Sequence, residues 1–270
     1  MKVDLHNHTL YSDGVKTCKE LVDLAIEQGL DVIALTDHDS VFGVDETYEY
    51  GKEKGLFVLK GLELSTFHKG QTVHIVALFK ENNVPSSMYE FSKSIIDGRI
   101  NRARKMMENI ESIFNVNVNY DILFNNATII TRGNMFRCIL ESNPGIDIKE
   151  ANFMVSNDSP AYIPSGKTST VDGLAFLKKH GAICILAHPT DIKDGLKEEI
   201  ISLGFDGIES RYPTNKPGEE EYFDKLAVKY NLFKSAGSDY HGDPNHAMVG
   251  TCTLNEEEFN VIKQILNLRM

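Results

Sequence analysis

Short apolar runs alternate with helical patterns along most of the chain. Val32–Thr36 begins with four apolar residues in a row, which is typical of a strand buried on both faces. Thr17–Gln28 places apolar residues at helical spacing and ends before Gly29. The same reasoning predicts six further strands: Val3–Leu5, Phe57–Leu62, Val73–Phe79, Ala182–Ala187, Gly207–Ser210 and Phe233–Ala236. It also predicts five further helices: Val44–Lys54, Val171–His180, Leu196–Leu203, Glu219–Tyr230 and Glu256–Leu268.

Repeated strand–helix units predict an α/β protein with a parallel sheet, open or closed as a barrel. The turn-like stretch Thr66–Thr72 would allow a hairpin between two of the strands. The pattern changes after Pro85, where a long helix is predicted at Ser86–Phe114 and shorter ones at Gly133–Glu141 and Ile148–Val155. We therefore predict a barrel domain formed by residues 1–84 and 166–270, with residues 85–165 as a mostly helical insertion.

Composition and charge narrow the range of partners. The chain has 270 residues, 41% of them hydrophobic and 25% charged, which is ordinary for a globular protein. Its formal net charge is −11. The acidic balance argues against long nucleic acid as a partner, because neutralising a phosphate backbone needs clustered Lys and Arg. Residues 85–165 are nearly neutral, with eight basic and nine acidic side chains, and hold five of the seven arginines. A small anionic substrate could therefore meet a local positive charge.

Cysteine usage and hydropathy bear on the compartment. The four cysteines are scattered without a CxxC pair, which favours free thiols in a reducing compartment. The first residues show no apolar signal-peptide core, and no run approaches the roughly 18 apolar residues of a membrane span. We expect a cytoplasmic protein that does not bind membranes, and its oligomeric state is left open.

Histidines and carboxylates recur at the ends of the predicted strands. His6 and His8 are two residues apart, so on an extended segment both imidazoles face the same side. Most of the other candidates fall where α/β barrels place their active sites, at the carboxyl ends of strands. Together the candidate metal ligands are His6, His8, Asp13, His38, Glu63, His74, His188, Asp239 and His241.

This set is too large for one ion. A tetrahedral site takes about four protein ligands, so six imidazoles and three carboxylates indicate two or three divalent ions, with a carboxylate such as Glu63 bridging them. Mixed nitrogen and oxygen ligands suit Mn, Zn and Fe alike. Ions roughly 3.5–4 Å apart fit the hydrolysis of a phosphate ester, in which a metal-bound hydroxide attacks and the other ions hold the phosphoryl oxygens.

Other polar residues carry weaker signals. Asp4, Asp37 and Asp39 are predicted to fix ligand imidazoles from behind, with a role as further ligands as the alternative. His68, His180 and His246 are predicted to be structural. Arg132, at a predicted helix start, is a candidate for binding a substrate phosphate. The other candidate phosphate contacts are Arg99 and Arg211. A solvated helix face is the alternative interpretation for Arg99.

Five motifs together resemble a known family. Asp-Leu-His-Asn-His-Thr, Thr-Asp-His-Asp, Gly-Leu-Glu, Ala-His-Pro and Gly-Ser-Asp-Tyr-His-Gly, in this order between residues 4 and 242, are similar to the motifs of the PHP (polymerase and histidinol phosphatase) family. The resemblance implies a distorted (β/α)7 barrel with two or three ions, usually manganese, zinc or iron, held by the nine residues above. It also implies that the insertion caps the site and contributes substrate contacts.

The resemblance also implies a substrate class. Asp13, where some relatives use histidine, resembles the branch of nucleoside 3′,5′-bisphosphate phosphatases, nucleotide phosphatases and 5′–3′ exonucleases. We predict a metal-dependent phosphoesterase acting on a small nucleotide, such as a nucleoside bisphosphate or monophosphate, or on a short oligonucleotide end. Glu63, His188 and His241 are the predicted catalytic residues, and one of the two histidines would protonate the leaving alkoxide.

Three other functions stay open at this stage. One is a histidinol-phosphate-type phosphatase, which the same ligand set would serve. Another is a C–N hydrolase using the same ions, although no metal-bridging lysine follows a predicted strand, since Lys60 precedes Glu63. The third is a non-catalytic metal-bound module, against which the apparently complete ligand set argues.

Overall fold

Seven strands form one sheet in which each strand pairs with the next along the chain. The strands are β1 (Val3–Asp4), β2 (Val32–Leu35), β3 (Phe57–His68), β4 (Gln71–Phe79), β5 (Ala182–Leu186), β6 (Gly207–Arg211) and β7 (Phe233–Ala236). The two ends of the sheet meet, because the Leu5 amide donates to the Ala236 carbonyl at 3.1 Å and the His8 amide to the Tyr240 carbonyl at 2.9 Å. The sheet is therefore a nearly closed barrel, as predicted.

The sheet is mixed, because the predicted hairpin adds an antiparallel strand to the parallel sheet of the βα units. β4 runs antiparallel to both β3 and β5, while the remaining pairs are parallel. β3 is also longer than predicted, because the residues after Leu62 continue to pair with β4 as far as His68. The predicted hairpin is present, and its turn is confined to Lys69 and Gly70, both with positive φ.

Ten α-helices lie in the part of the chain that the computed structural model describes, residues 1–125, 130, 132–163 and 168–269. They are α1 (Cys18–Glu27), α2 (Val44–Lys54), α3 (Ser86–Phe114), α4 (Tyr120–Asn125), α5 (Arg132–Ser142), α6 (Ile148–Met154), α7 (Thr170–Lys179), α8 (Lys197–Ile201), α9 (Glu219–Tyr230) and α10 (Glu256–Leu266). Thr17 and Asn255 begin α1 and α10 with capping boxes, which explains why these helices begin where the sequence predicted. α4 was not predicted.

Contacts divide the chain into two compact units, Met1–Ser92 with Lys167–Met270, and Lys93–Gly166. The predicted domain boundary after residue 84 stays a prediction, and the one between residues 165 and 166 lies outside the described residues. In the first unit, apolar side chains from the strands and α10 form one buried cluster that includes Val32, Leu59 and Phe259.

The second unit has a hydrophobic core of its own. Met106, Ile110, Cys138, Ile139 and Met154 are among its buried members. Across the described residues of the whole chain, no helix combines the length and apolar character that crossing a bilayer requires. The predicted cytoplasmic location stays a prediction.

Candidate metal centre

All nine predicted ligands lie in the first unit, on its strands or in the loops that follow them. The described residues include three groups of ligand atoms, in each of which the atoms lie within 4.8 Å of one another. The groups are His8, Asp13, His38 and His241; His6, His8, Glu63 and Asp239; and His38, Glu63 and His74. His188 joins the third group, since its Nε2 lies 2.9 Å from Glu63 Oε1 and 3.2 Å from His74 Nδ1.

Glu63 is the common member at the middle of the arrangement. Its Oε1 faces His74 Nδ1 at 2.9 Å, and its Oε2 faces His38 Nδ1 at 2.9 Å and His6 Nε2 at 3.3 Å. This side chain projects from within β3, not from the strand's end as predicted, because β3 continues along β4. The antiparallel hairpin, which pairs His74 with Ser65, brings the His74 ring to Glu63.

Buried aspartates hold the loops that carry the ligands. Asp37 accepts hydrogen bonds from the Thr9 amide at 2.7 Å and the Ser12 hydroxyl at 2.6 Å. Asp4 accepts from the amides of Ser238 and Gly250, and burial raises the pKa of its carboxyl to about 6. Asp4 and Asp37 thus bind backbone amides and hydroxyls instead of the ligand imidazoles. Asp39 accepts the Ser65 amide at 2.8 Å, and its role beside a ligand imidazole stays a prediction.

Four ligand imidazoles are instead held at Nδ1 by other groups. His6 Nδ1 lies 3.1 Å from Glu209 Oε1, and His188 Nδ1 lies 3.1 Å from Asp191 Oδ2. The corresponding contacts of the other two histidines are His8 with the Ser12 hydroxyl at 3.4 Å and His241 with the Asp239 carbonyl at 2.8 Å. Because an oxygen acceptor at Nδ1 favours the Nδ1–H tautomer, each ring can present the Nε2 lone pair to the centre.

The donor set fits a bound cation. Among the proposed ligands, all within the described part of the chain, five buried atoms make no hydrogen bond: His6 Nε2, His8 Nε2, His38 Nδ1, Glu63 Oε2 and Asp239 Oδ1. They face one another, with His8 Nε2 3.0 Å from Asp239 Oδ1 and 3.4 Å from Glu63 Oε2. Buried polar atoms without a hydrogen bond are costly, so such convergent lone pairs indicate a site for divalent ions.

The electrostatics of the protein atoms point in the same direction. Burial alone would raise the pKa of Glu63, but His38, His74 and His6 around it hold that pKa well below its ordinary value. Burial lowers the pKa of His8 to about 3, whereas at His38 the carboxylates outweigh burial and raise the pKa to about 9. A carboxylate that favours its ionised form is thus buried among imidazoles, and divalent ions would bind such a mixed oxygen and nitrogen donor set.

The three predicted substrate arginines stay predictions. Arg211 lies at the end of β6, where its guanidinium donates to the carboxylates of Glu220 and Glu258. Arg99 and Arg132 belong to the second unit, and Arg132 Nη1 donates to Asn157 Oδ1 at 3.0 Å.

Sequence reasoning missed several groups around the centre. Tyr212 donates its hydroxyl to Asp239 Oδ2 at 2.9 Å, and Glu209 and Asp191 contact ligand rings. His246, predicted to be structural, stacks on His241 with 4.0 Å between ring centroids. Of these residues, only Glu209 could have been noticed in the sequence. It is a charged residue within a predicted strand, and strands of a βα barrel are usually buried on both faces.

Comparisons with known proteins agree with this geometry. Residues 4–92 match the PHP domain. The chain is 26% identical over 245 residues to a phosphoribosyl 1,2-cyclic phosphate 1,2-diphosphodiesterase of Eggerthella lenta, covering 88% of this chain and 94% of that one. It is 29% identical to a 3′,5′-nucleoside bisphosphate phosphatase of Chromobacterium violaceum, covering 88% and 87% of the two chains. A candidate metal-dependent phosphoesterase of Bifidobacterium adolescentis superposes with a TM-score of 0.79 at 25% identity, covering 97% and 96%.

The chain thus carries a PHP domain match at residues 4–92 and is similar to phosphoesterases over most of its length. The predictions of the family, of its seven-stranded barrel and of a metal-dependent phosphoesterase are thereby confirmed. The comparisons and the three ligand groups also support divalent metal binding.

Proposed function

We propose that this protein hydrolyses the phosphate ester of a small nucleotide, such as a nucleoside 3′,5′-bisphosphate or monophosphate, or of a short oligonucleotide end. The observation that carries the proposal is the set of five buried ligand atoms without hydrogen bonds that converge around Glu63. Two or three ions of Mn, Zn or Fe would be held by the nine predicted ligands. When bound, such ions lower the pKa of a water nucleophile and neutralise charge on the phosphoryl oxygens.

The residues of the chain have distinct roles in this proposal. Glu63 lies between the ligand groups and would bridge two ions, with one oxygen toward His74 and the other toward His38. Proton donation to the leaving oxygen stays a prediction for His188 and His241, because both ring nitrogens of each already face a partner. The phosphate contacts of Arg132, Arg99 and Arg211 are proposed on charge alone.

The nucleotide class is supported by chemistry and by relatives. The net charge of −11 disfavours long nucleic acid, while a centre of divalent ions would attract a compact phosphate. The two named relatives act on a nucleoside bisphosphate and on a phosphoribosyl cyclic phosphate. Both names describe a phosphate group on a ribose-containing small molecule.

A substrate panel with metal-loaded protein tests the proposal. We expect turnover of p-nitrophenyl phosphate with added Mn²⁺, abolished by chelator, and faster turnover of a nucleoside bisphosphate, a nucleotide or a 5′-phosphorylated short oligonucleotide. Glu63→Gln should lose both metal loading and hydrolysis, because an amide cannot bridge two cations as a carboxylate does. Glu199→Gln, at a carboxylate that contacts His68 and Lys69, is the matched control and should keep both.

The panel also separates the alternatives. Preference for histidinol phosphate would identify the other phosphatase class. Hydrolysis of amide or cyclic amide substrates without phosphatase activity would identify a C–N hydrolase. Bound metal without turnover of any ester would indicate a non-catalytic module and overturn the proposal.

A further inference from the structure

Glu209 is a buried carboxylate that belongs to none of the three ligand groups. It lies in β6, and 2% of its surface is exposed. Both of its oxygens are engaged, since Oε1 lies 3.1 Å from His6 Nδ1 and Oε2 accepts the backbone amide of His188 at 2.7 Å. One side chain thus contacts two proposed ligands that are 182 positions apart in the sequence.

The contact with His6 sets which ring nitrogen faces the centre. An ionised carboxylate only accepts hydrogen bonds, so the proton of a neutral His6 ring belongs on Nδ1. Nε2 then carries the lone pair, and it lies 3.3 Å from both Glu63 Oε2 and Asp239 Oδ1. This is the pairing of carboxylate, histidine and metal that orients an imidazole for coordination.

The contact with His188 holds an unusual backbone. His188 has a φ of 25°, outside the regions that non-glycine residues ordinarily adopt. Such a conformation persists only where neighbouring groups determine it. The hydrogen bond from the His188 amide to Glu209 is one such restraint, and it fixes the point from which the ring reaches Glu63.

Gly237 shows independently that the backbone packs tightly against His6 and Glu209. A Cβ atom at position 237 would lie 2.5 Å from Glu209 Oε1 and 2.2 Å from His6 Cβ. No side chain larger than hydrogen can therefore occupy this position while Glu209 and His6 keep their contact.

We propose that Glu209 is a positioning residue that couples two ligands of the metal centre, selecting the Nδ1–H tautomer of His6 and fixing the backbone of His188. The inference rests on the proposed function, since it presupposes that the centre binds metal. Glu209 lies behind the ligands and acts on the ions only through them.

Glu209→Gln tests this with little change in shape. An amide has one acceptor and one donor, so it can satisfy His6 or His188 but not both. We expect Zn²⁺ affinity, measured by competition with a chromophoric chelator, to fall about 10- to 100-fold. Glu258→Gln is the matched control, because Glu258 is also a partly buried carboxylate but is paired with Arg211. The Zn²⁺ affinity of this variant should equal that of the wild type. Equal affinity in Glu209→Gln and the wild type would overturn the inference.

A second measurement uses the wild-type protein, so it tests the inference even if Glu209→Gln fails to fold. In Zn²⁺-loaded wild-type protein, long-range ¹⁵N–¹H spectra of the histidine rings should show His6 protonated at Nδ1 and metal-bound at Nε2. The opposite assignment would overturn the inference while leaving the proposed function intact. Failure of the wild type to bind Zn²⁺, Mn²⁺ or Fe²⁺ at all would instead refute the proposed function.

Discussion

Tyr212 shows how a single hydroxyl can act on the metal centre. It donates to Asp239 Oδ2 at 2.9 Å, and its ring packs 5.3 Å from that of His188. Burial and the neighbouring Asp239 raise the pKa of Tyr212, so the hydroxyl stays a donor. Tyr212→Phe removes this hydrogen bond and keeps the ring. We expect Mn²⁺ affinity to fall roughly tenfold by chelator competition, because Asp239 loses a partner that orients it.

Tyr50 offers a control of the same chemistry. Its hydroxyl lies 3.1 Å from Asp23 Oδ1, on an exposed pair between α1 and α2. Tyr50→Phe should leave metal affinity unchanged. An identical affinity in Tyr212→Phe would mean that the orientation of Asp239 does not depend on the tyrosine.

The ligand residues were predictable because their signal is local. A histidine or carboxylate after an apolar strand is visible in the sequence, and strand order brings such ends together. The outer contacts were not predictable in the same way. Asp191 and Tyr212 reach their partners from segments that follow β5 and β6, where no spacing rule encodes backbone conformations such as the positive φ of His188. Asp4 and Asp37 were noticed, but their backbone partners come from distant segments.

At the level of elements, α10 is tied to the barrel wall by one ion pair. Glu258 is the glutamate of the capping box that begins α10. Its carboxylate also accepts hydrogen bonds from both terminal nitrogens of Arg211, at the end of β6. The hydrogen bond from Arg211 lowers the pKa of Glu258 below its ordinary value of 4.5. A depressed carboxyl pKa contributes stability that is present above the ordinary value and is lost as pH falls through the folded value.

Glu258→Gln isolates this charge, since glutamine can still serve the capping box. We expect the free energy of unfolding, measured with urea, to fall by about 1 kcal/mol at pH 7. The difference from the wild type should shrink as pH falls below 4.5. Glu221→Gln, at a fully exposed pair with Lys225, should change stability too little to resolve. A loss that is equally large at low pH would contradict an electrostatic origin.

The strands show a similar limit of sequence reasoning for whole elements. The apolar core of β3 was predicted, but its extension to His68 was not, because those residues are held by pairing with β4. Alternating polar residues such as Ser65 and Thr72 resemble a turn until the partner strand is known. The antiparallel pairing of β4 with β3 follows from the predicted hairpin, whereas its antiparallel pairing with β5 is not visible in a pattern of strands and helices.

For the whole molecule, binding of divalent ions to the acidic chain is expected to raise the free energy of unfolding. The chain carries −11, and the centre concentrates buried carboxylates and imidazoles that two or three divalent ions would bring together. A ligand that binds only the folded state stabilises it by about 2.7 kcal/mol at 100 times its dissociation constant. For a chain of this size that corresponds to a rise in melting temperature of roughly 5–10 °C. We expect this rise when chelator-treated protein receives Mn²⁺ or Zn²⁺.

Two histidine variants determine whether such a rise comes from the proposed centre. His8 belongs to two of the ligand groups, whereas His68 contacts Glu199 and belongs to none of them. His8→Asn should lose most of the metal-dependent rise in melting temperature. The amide oxygen of asparagine is a weaker metal ligand than an imidazole nitrogen, and the shorter side chain does not extend as far into the centre. His68→Asn should keep all of it. Equal rises in melting temperature in both variants would show that the ions stabilise the fold from some other site. The assignment of His8 as a metal ligand would then be wrong.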